Sequence, residues 1–504
     1  MTPNERVQQI LKNLKQQHEG SEIEFKEAAE QLPKTFWDTY SSFANTAGGF
    51  ILLGIKEKPR MKVTGVANPQ KIIMDMCNSA NNKMTVSRNL IENENIKTWT
   101  IDGKKVISIY IPELNPRRKP LYCKNNPRYT YIRKNEGDYQ ASDEDLRRLL
   151  RDASSNLDSE LLDEYLLEDL NPESVLAFKN KMDVRNPSMH YMEMDNLEFL
   201  MRTGAFQIDR KDHRKPKLTV AGLLFLGKLD AIYQKFPHFH LEYINRRGVS
   251  VQERWKDRVC TGDSIYENLN VFEFFFIVRD KLRATIEDSF ELDENSERRS
   301  PVELDTALRE ALANMLIHAD YFDDSTDIKV VVENYFYTFT NPGSMRISRE
   351  QFFVGGVSNP RNNTLISFFR KLGISDRAGS GGQILSNFAK ENKYEMPELE
   401  TDYEKTSLKL WTAVPVKVHP ELDDETKKIY DYIHEQKSVT MQDLLQFTGR
   451  SKYFVRKSLD ALLALHLILQ QGKGRATKYL WSPSMIERLD MVDTIKKLLM
   501  KTVE

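Results

Sequence analysis

Hydrophobic and polar positions along this chain follow two periods, and the change from one to the other marks the predicted elements. Between Ser300 and Ala319, Leu308, Leu312, Met315, Leu316 and Ala319 recur at helical spacing, while Glu310, Asn314 and His318 step along another side four residues apart. One face of this helix is core and the other is polar. The stretch IKVVVENYFYTFT that follows reads as a strand closing on Asn341-Pro342-Gly343. Further on, Gly379, Gly381 and Gly382 precede a predicted helix whose unpaired N–H groups could hold phosphate.

The same reading orders the rest of the chain. Near the amino terminus, Phe36, Tyr40 and Phe43 share a helix face that two glycines stop, FILLGI is a wholly apolar strand, and VISIYIPE alternates as a half-buried strand. PRYTYIRKNEG alternates again, and DEDLRRLLRDA returns to helix. From about Asp152 the pattern is mostly helical, and ELDENSERRS, ending at Ser300, is the best linker candidate. Beyond His419, DDETKKIYDYIHEQ is amphipathic with Ile429, Tyr432 and Ile433 inward, and Thr440 can cap the short helix MQDLLQF. A tight turn at Gly449 leads to KYFVRKSLDALLALH, then to the strands LILQQ and KYLW.

Composition narrows the class. At 504 residues with 40% hydrophobic and 29% charged content, the chain is a soluble globular protein of several domains. With 73 basic and 74 acidic residues, nucleic-acid binding would have to come from local patches. Cys77, Cys123 and Cys260 form no CxxC or Cys/His cluster, which argues against a disulfide framework or structural zinc and favours the cytoplasm. Apolar runs fall short of the ~20 residues that span a bilayer.

Candidate chemistry lies in three places. On the central helix, a carboxylate and an amide one turn apart suit a nucleotide site: Glu310 as general base and Asn314 as ligand of Mg²⁺, with His318 on the same side. In the amino-terminal part, Arg117, Arg118, Lys119, Arg128 and Arg133 lie among tyrosines, the mixture that meets phosphates and bases; a charged strand edge is the rival account. In the carboxy-terminal part, Lys452, Tyr453, Arg456 and Lys457 fall on a recognition helix, and Lys473, Arg475 and Lys478 on a basic wing. His238 and His240 would share a strand face without an evident third ligand.

These segments resemble known families. REALANMLIHADY, NPG and the loop Ser358-Asn359-Pro360-Arg361-Asn362 resemble a divergent branch of the GHKL ATPases. The likeness implies ATP and Mg²⁺ at Glu310, Asn314, His318, Asn341, Gly343, Gly379, Gly381 and Gly382, with weak ATPase activity at most. Asn341 stands where most members place an adenine-reading aspartate. EGSEIEFK, SFANTAGGFILLGI and the KP and YIR segments resemble the AlbA-type domain of the Schlafen family, whose nuclease members use carboxylates that Glu19, Glu24 and Glu57 could supply. The last segment resembles bacterial winged helices.

The expected fold is therefore α+β and multidomain: an AlbA/Schlafen-like α/β domain at 1–151, a mixed helical connecting segment at 152–299, a GHKL-like α/β sandwich at 300–418 and a winged helix-turn-helix at 419–504. The expected function is a DNA-binding transcriptional regulator, with RNA as a further ligand and homodimerisation plausible, whose activity ATP modulates. The alternative is a Schlafen-like metal-dependent nuclease of RNA or DNA acting in phage defence, with the GHKL unit as nucleotide sensor; a scaffold that binds neither ATP nor metal is the third account.

Overall fold

The computed structural model describes residues 3–14, 18–154, 157–249, 254–287, 301–375, 379–392, 394–402, 404–412, 422–465, 467–472 and 477–481. The chain divides into two compact units, Met1–Leu157 and Asp158–Glu504. The class is mixed α and β throughout.

The first unit is built on a sheet with strands in the order Ile23–Lys26, Gly49–Leu53, Lys104–Ile111 and Ile96–Ile101. Its first two strands run parallel, which requires a crossover, and the helix Phe36–Asn45 supplies it. Phe36, Tyr40, Phe43 and Ala44 on that helix are fully buried. The helix ends where the N–H of Gly48, at φ +75°, donates to the carbonyl of Phe43. Lys104–Ile111 departs from the expected half-buried alternation. Ile107 and Ile109 pack with the crossover helix, while Val106 packs with Val7 and Ile10 of the amino-terminal helix Pro3–Lys12, so both faces of the strand are covered. A hairpin, Tyr131–Lys134 with Gly137–Gln140, and the helix Asp143–Ala153, opened by a capping box at Ser142, complete the unit.

The second unit holds a six-stranded sheet in the order Asp257–Cys260, Leu241–Asn245, Ile328–Val332, Phe336–Pro342, Lys405–Trp411 and Glu398–Thr401. The stretch IKVVVENYFYTFT is thus a hairpin and not one strand. Glu333 N–H donates to Phe336 O at 2.9 Å and turns the chain, so Lys329 faces Thr340. The segment ahead of residue 300, read as mainly helical, contributes Leu241–Asn245 and Asp257–Cys260 to the sheet, and Leu241–Asn245 pairs in parallel with Ile328–Val332. The expected linker at 291–300 lies outside the described residues.

One face of the sheet is buried by the helices Val271–Glu287, Pro301–His318 and Gly381–Glu391. Leu308, Leu312 and Leu316 are almost wholly buried there, each worth about 1.5–3 kcal/mol relative to exposure. The opposite side of Pro301–His318 carries Glu310, Asn314 and His318 as a half-buried stripe.

A separate small core closes the described carboxy-terminal part. Ile429, Ile433, Leu444, Val455, Leu459 and Leu462 join the helices Asp424–Gln436, Met441–Thr448 and Lys452–Ala464. Thr440 caps the middle helix, as its position in the sequence suggests, and Gly449 at φ +62° makes the turn to the next. The strands Ile468–Gln471 and Lys478–Trp481 pair as expected, and a further strand, Ser438–Thr440, joins them.

Candidate functional site

The polar stripe of Pro301–His318 faces a cavity of about 110 Å³. Glu310, Asn314, His318, Asn341, Gly379, Gly381 and Gly382 all line it, which brings together residues as far apart in sequence as 310 and 382. The Asn314 amide donates to Glu310 Oε1 at 3.1 Å, one helical turn away. The glycine segment comes so close that a Cβ on Gly381 would stand 2.6 Å from Asn314 Nδ2 and 2.7 Å from Glu310 Oε1. Gly379 takes φ +65°, which a side chain would resist. Only backbone fits against this pair, and the start of the helix Gly381–Glu391 is thereby set beside a carboxylate and an amide.

At another part of the wall, Asn341 is buried at 5% exposure and its amide donates to Pro342 O at 3.0 Å. Gly343 does not line the cavity, whereas its neighbour Ser344 does. At φ +94°, a Cβ on Gly343 would meet the Arg361 guanidinium at 2.8 Å. Arg361 donates to His318 O and Ser344 O, and Nη1 lies 3.9 Å from Asp320. Arg346, also in the wall, donates to Pro360 O. Sequence spacing gave no sign of Arg346; Arg361 belonged to a recognised loop without an assigned role. Burial, with Arg361 and Arg346 nearby, lowers the His318 pKa to about 4, so the imidazole is neutral at pH 7.

Three family models match the chain. Residues 19–142 match "Schlafen, AlbA_2", residues 147–242 match "Domain of unknown function (DUF8451)", and residues 328–410 match "Putative ATP-dependent DNA helicase recG C-terminal". The chain carries an AlbA_2 domain and a divergent ATPase-type domain. No curated protein matches. Among solved structures, the DIP2311 protein from Corynebacterium diphtheriae is similar at 17% identity over 97% of this chain and 98% of that chain, with a TM-score of 0.40. The ATPase-type match contains Asn341 and the glycine segment but begins after the helix bearing Glu310 and Asn314.

In the AlbA_2 domain, Glu19, Glu24 and Glu57 are electrostatic neighbours. Burial raises the Glu19 pKa and Glu24 and Glu57 raise it further, against the Phe25 N–H and Lys58. Phe25 N–H donates to Glu19 Oε1 at 3.2 Å, and Glu19 N–H to Glu57 Oε1 at 3.0 Å. Glu24 is already neutralised, with Lys26 Nζ at 2.8 Å and Arg133 Nη2 at 2.9 Å. Among the described residues, the group of potential metal ligands that lies within 4.8 Å is His240, Glu242 and Cys260, not these glutamates. Glu242 is held by Arg258 and Lys329, and His238 turns instead to Asp324, so the two histidines are not brought together.

The expected basic surface of the AlbA_2 domain is smaller than the sequence suggests. Arg117, Arg118 and Arg128 are exposed. Arg133 is corrected: it is buried at 6% exposure, bridging Glu24 and Asp138 and donating to Gly20 O, with its guanidinium over the ring of Phe43 on the crossover helix. The Lys119 ammonium is committed to Glu113 and the Thr46 carbonyl. In the carboxy-terminal part, Lys452, Tyr453, Arg456 and Lys457 are exposed along one helix and Lys478 is exposed on the last described strand. Lys473 and Arg475 lie outside the described residues. No helix among the described residues is long and apolar enough to cross a membrane.

Proposed function

We propose that this chain is a cytoplasmic DNA-binding regulator whose hold on DNA responds to ATP and Mg²⁺ in the cavity of the ATPase-type domain. The observation that carries the reading is the approach of Gly381 to the hydrogen-bonded Glu310–Asn314 pair, a cradle that a single Cβ would fill. Such a site fits a nucleotide in the GHKL manner. Asn314 would offer an oxygen to Mg²⁺, Glu310 would orient and deprotonate water, the N–H groups at Gly381 and Gly382 would face phosphate, and Asn341 would accept from the base. Bound Mg²⁺ would supply charge neutralisation at the phosphates. Binding is weakened, since Asn341 would read the base without a carboxylate's charge.

For DNA, the three carboxy-terminal helices and their sheet support a winged-helix reading, with Lys452–Ala464 as recognition helix. Arg117, Arg118 and Arg128 of the AlbA_2 domain offer a second contact. The domain division we propose remains 1–151, 152–299, 300–418 and 419–504, with the strands at 241–260 shared into the ATPase-type sheet. Calorimetry of the full chain with ATP, with and without Mg²⁺, tests the first half of the reading, and filter binding to duplex DNA with and without ATP tests the second. No heat of binding, or a DNA affinity indifferent to ATP, would sink it. The nuclease alternative is disfavoured by the pairing of Glu24 with Lys26 and Arg133, and robust Mn²⁺-dependent cleavage of labelled RNA would restore it.

A further inference from the structure

Asp158 is the first residue of the second unit, and it is 1% exposed. Its Oδ2 accepts the N–H groups of Thr364 at 2.6 Å and Leu365 at 3.0 Å, more than two hundred residues away in sequence. These are first-turn donors of the helix Asn363–Lys371, whose own N-cap residue, Asn362, makes no side-chain cap. The cap comes instead from the point at which the chain enters the second unit. Asn362 points the other way, donating to Ile317 O at 2.9 Å and Ala319 O at 2.8 Å at the end of the helix that bears Glu310. The residues just before it, Ser358, Asn359 and Arg361, line the cavity.

We infer that Asp158 is a coupling strut between the cavity and the chain that leads back to the amino-terminal unit. Resting on the nucleotide reading above, the inference names how that site is regulated and read out. A ligand that displaces Ser358 to Arg361 moves the start of Asn363–Lys371, and the two N–H groups there are the ones Asp158 holds. A charge-assisted cap of this kind at a helix N-terminus is among the stronger local bonds, so the entering segment follows the helix or loses both hydrogen bonds. By linkage, whatever the amino-terminal unit binds acts on the cavity through the same strut with equal coupling.

The test uses the full chain. In a full chain whose carboxy-terminal DNA contacts are removed by Arg456→Ala with Lys457→Ala, Asp158→Ala should leave the affinity for ATP with Mg²⁺ within about threefold, and should bring the ATP-induced change in the DNA affinity that the amino-terminal unit then carries down to a ratio near one. Asp158→Asn, which keeps one acceptor oxygen without the charge, should restore part of that ratio and shows that the loss is not unfolding. An unchanged ratio in Asp158→Ala would overturn the strut. If wild type takes up no ATP, the nucleotide reading has failed, and the strut is judged by hydrogen exchange alone. Asn362→Ala should then quicken amide exchange in residues 158–162, and unaltered exchange there would overturn it.

Discussion

Glu24 and Glu310 are both carboxylates shielded from solvent on regular elements, yet their surroundings assign them different work. Glu24 lies between an ammonium and a guanidinium, both nearly inaccessible, and its charge is met inside the fold. Glu310 receives the neutral amide of Asn314, borders a cavity and meets a loop from which side chains are excluded. A carboxylate neutralised inside the fold has little affinity left for a metal or a reacting water, whereas one on a cavity wall stands where a ligand can reach it. Residue type and spacing nominate both positions equally. Their settings separate the two: Glu24 is locked between buried cations, and Glu310 stands on a cavity wall.

The sharpest way to break this contrast is to remove the cation. Arg133→Ala should cost the first unit about 3–5 kcal/mol, because Glu24 and Asp138 would stay buried without their guanidinium. Denaturant unfolding followed by a probe in that unit measures it. A loss below about 1 kcal/mol would mean that Glu24 is solvated and available after all. On the other side, Asn314→Ala should weaken binding of ATP with Mg²⁺ by roughly a hundredfold while leaving the unfolding midpoint nearly unchanged, since Leu312 and Leu316 keep their packing. Calorimetry with unaltered affinity would remove Asn314 from the site.

Outside the two glutamates, Arg456→Ala should cost about 1–3 kcal/mol at a preferred duplex and blur sequence preference, as the loss of a base-reading arginine does. Lys478→Ala should weaken all duplexes alike and lower the slope of log affinity against log salt by about one contact. Filter binding at three salt concentrations on specific and random duplexes distinguishes them.

The smallest effect is one of pH. With His318 held at about 4 in the fold against 6.5 for an unperturbed histidine, the unfolded chain binds a proton that the folded chain refuses. Stability therefore falls as pH drops through 6.5, by roughly 1.4 kcal/mol at pH 5.5, and stops falling on this account below about 4. His318→Asn should remove that part of the dependence, and parallel profiles for variant and wild type would show that the imidazole is solvated.

Where a signal was local, the sequence carried it. The stripe of Glu310, Asn314 and His318 follows from helical period, the cap at Thr440 from its hydroxyl, and the glycines at 379–382 from the backbone freedom that a close approach demands. What escaped was non-local. The turn at Glu333 to Tyr335 contains neither glycine nor proline, so a hairpin read as one strand. Arg133 shares its alternating segment with exposed Lys134, and only the packed hairpin shows which of the two faces inward. Arg346 enters the cavity wall through tertiary folding that no spacing encodes.

The parallel pairing of Leu241–Asn245 with Ile328–Val332 bears on how this protein can be cut for study. A recombinant fragment opening near residue 300 would contain Glu310, Asn314, Asn341 and the glycine segment, and would look complete by motif. It would also strip two strands from one side of the sheet and leave the apolar run Ile328 to Val332 as a bare edge with nothing to satisfy its amides on that side. Such a fragment should aggregate on expression, whereas one opening at Asp158 keeps the sheet whole.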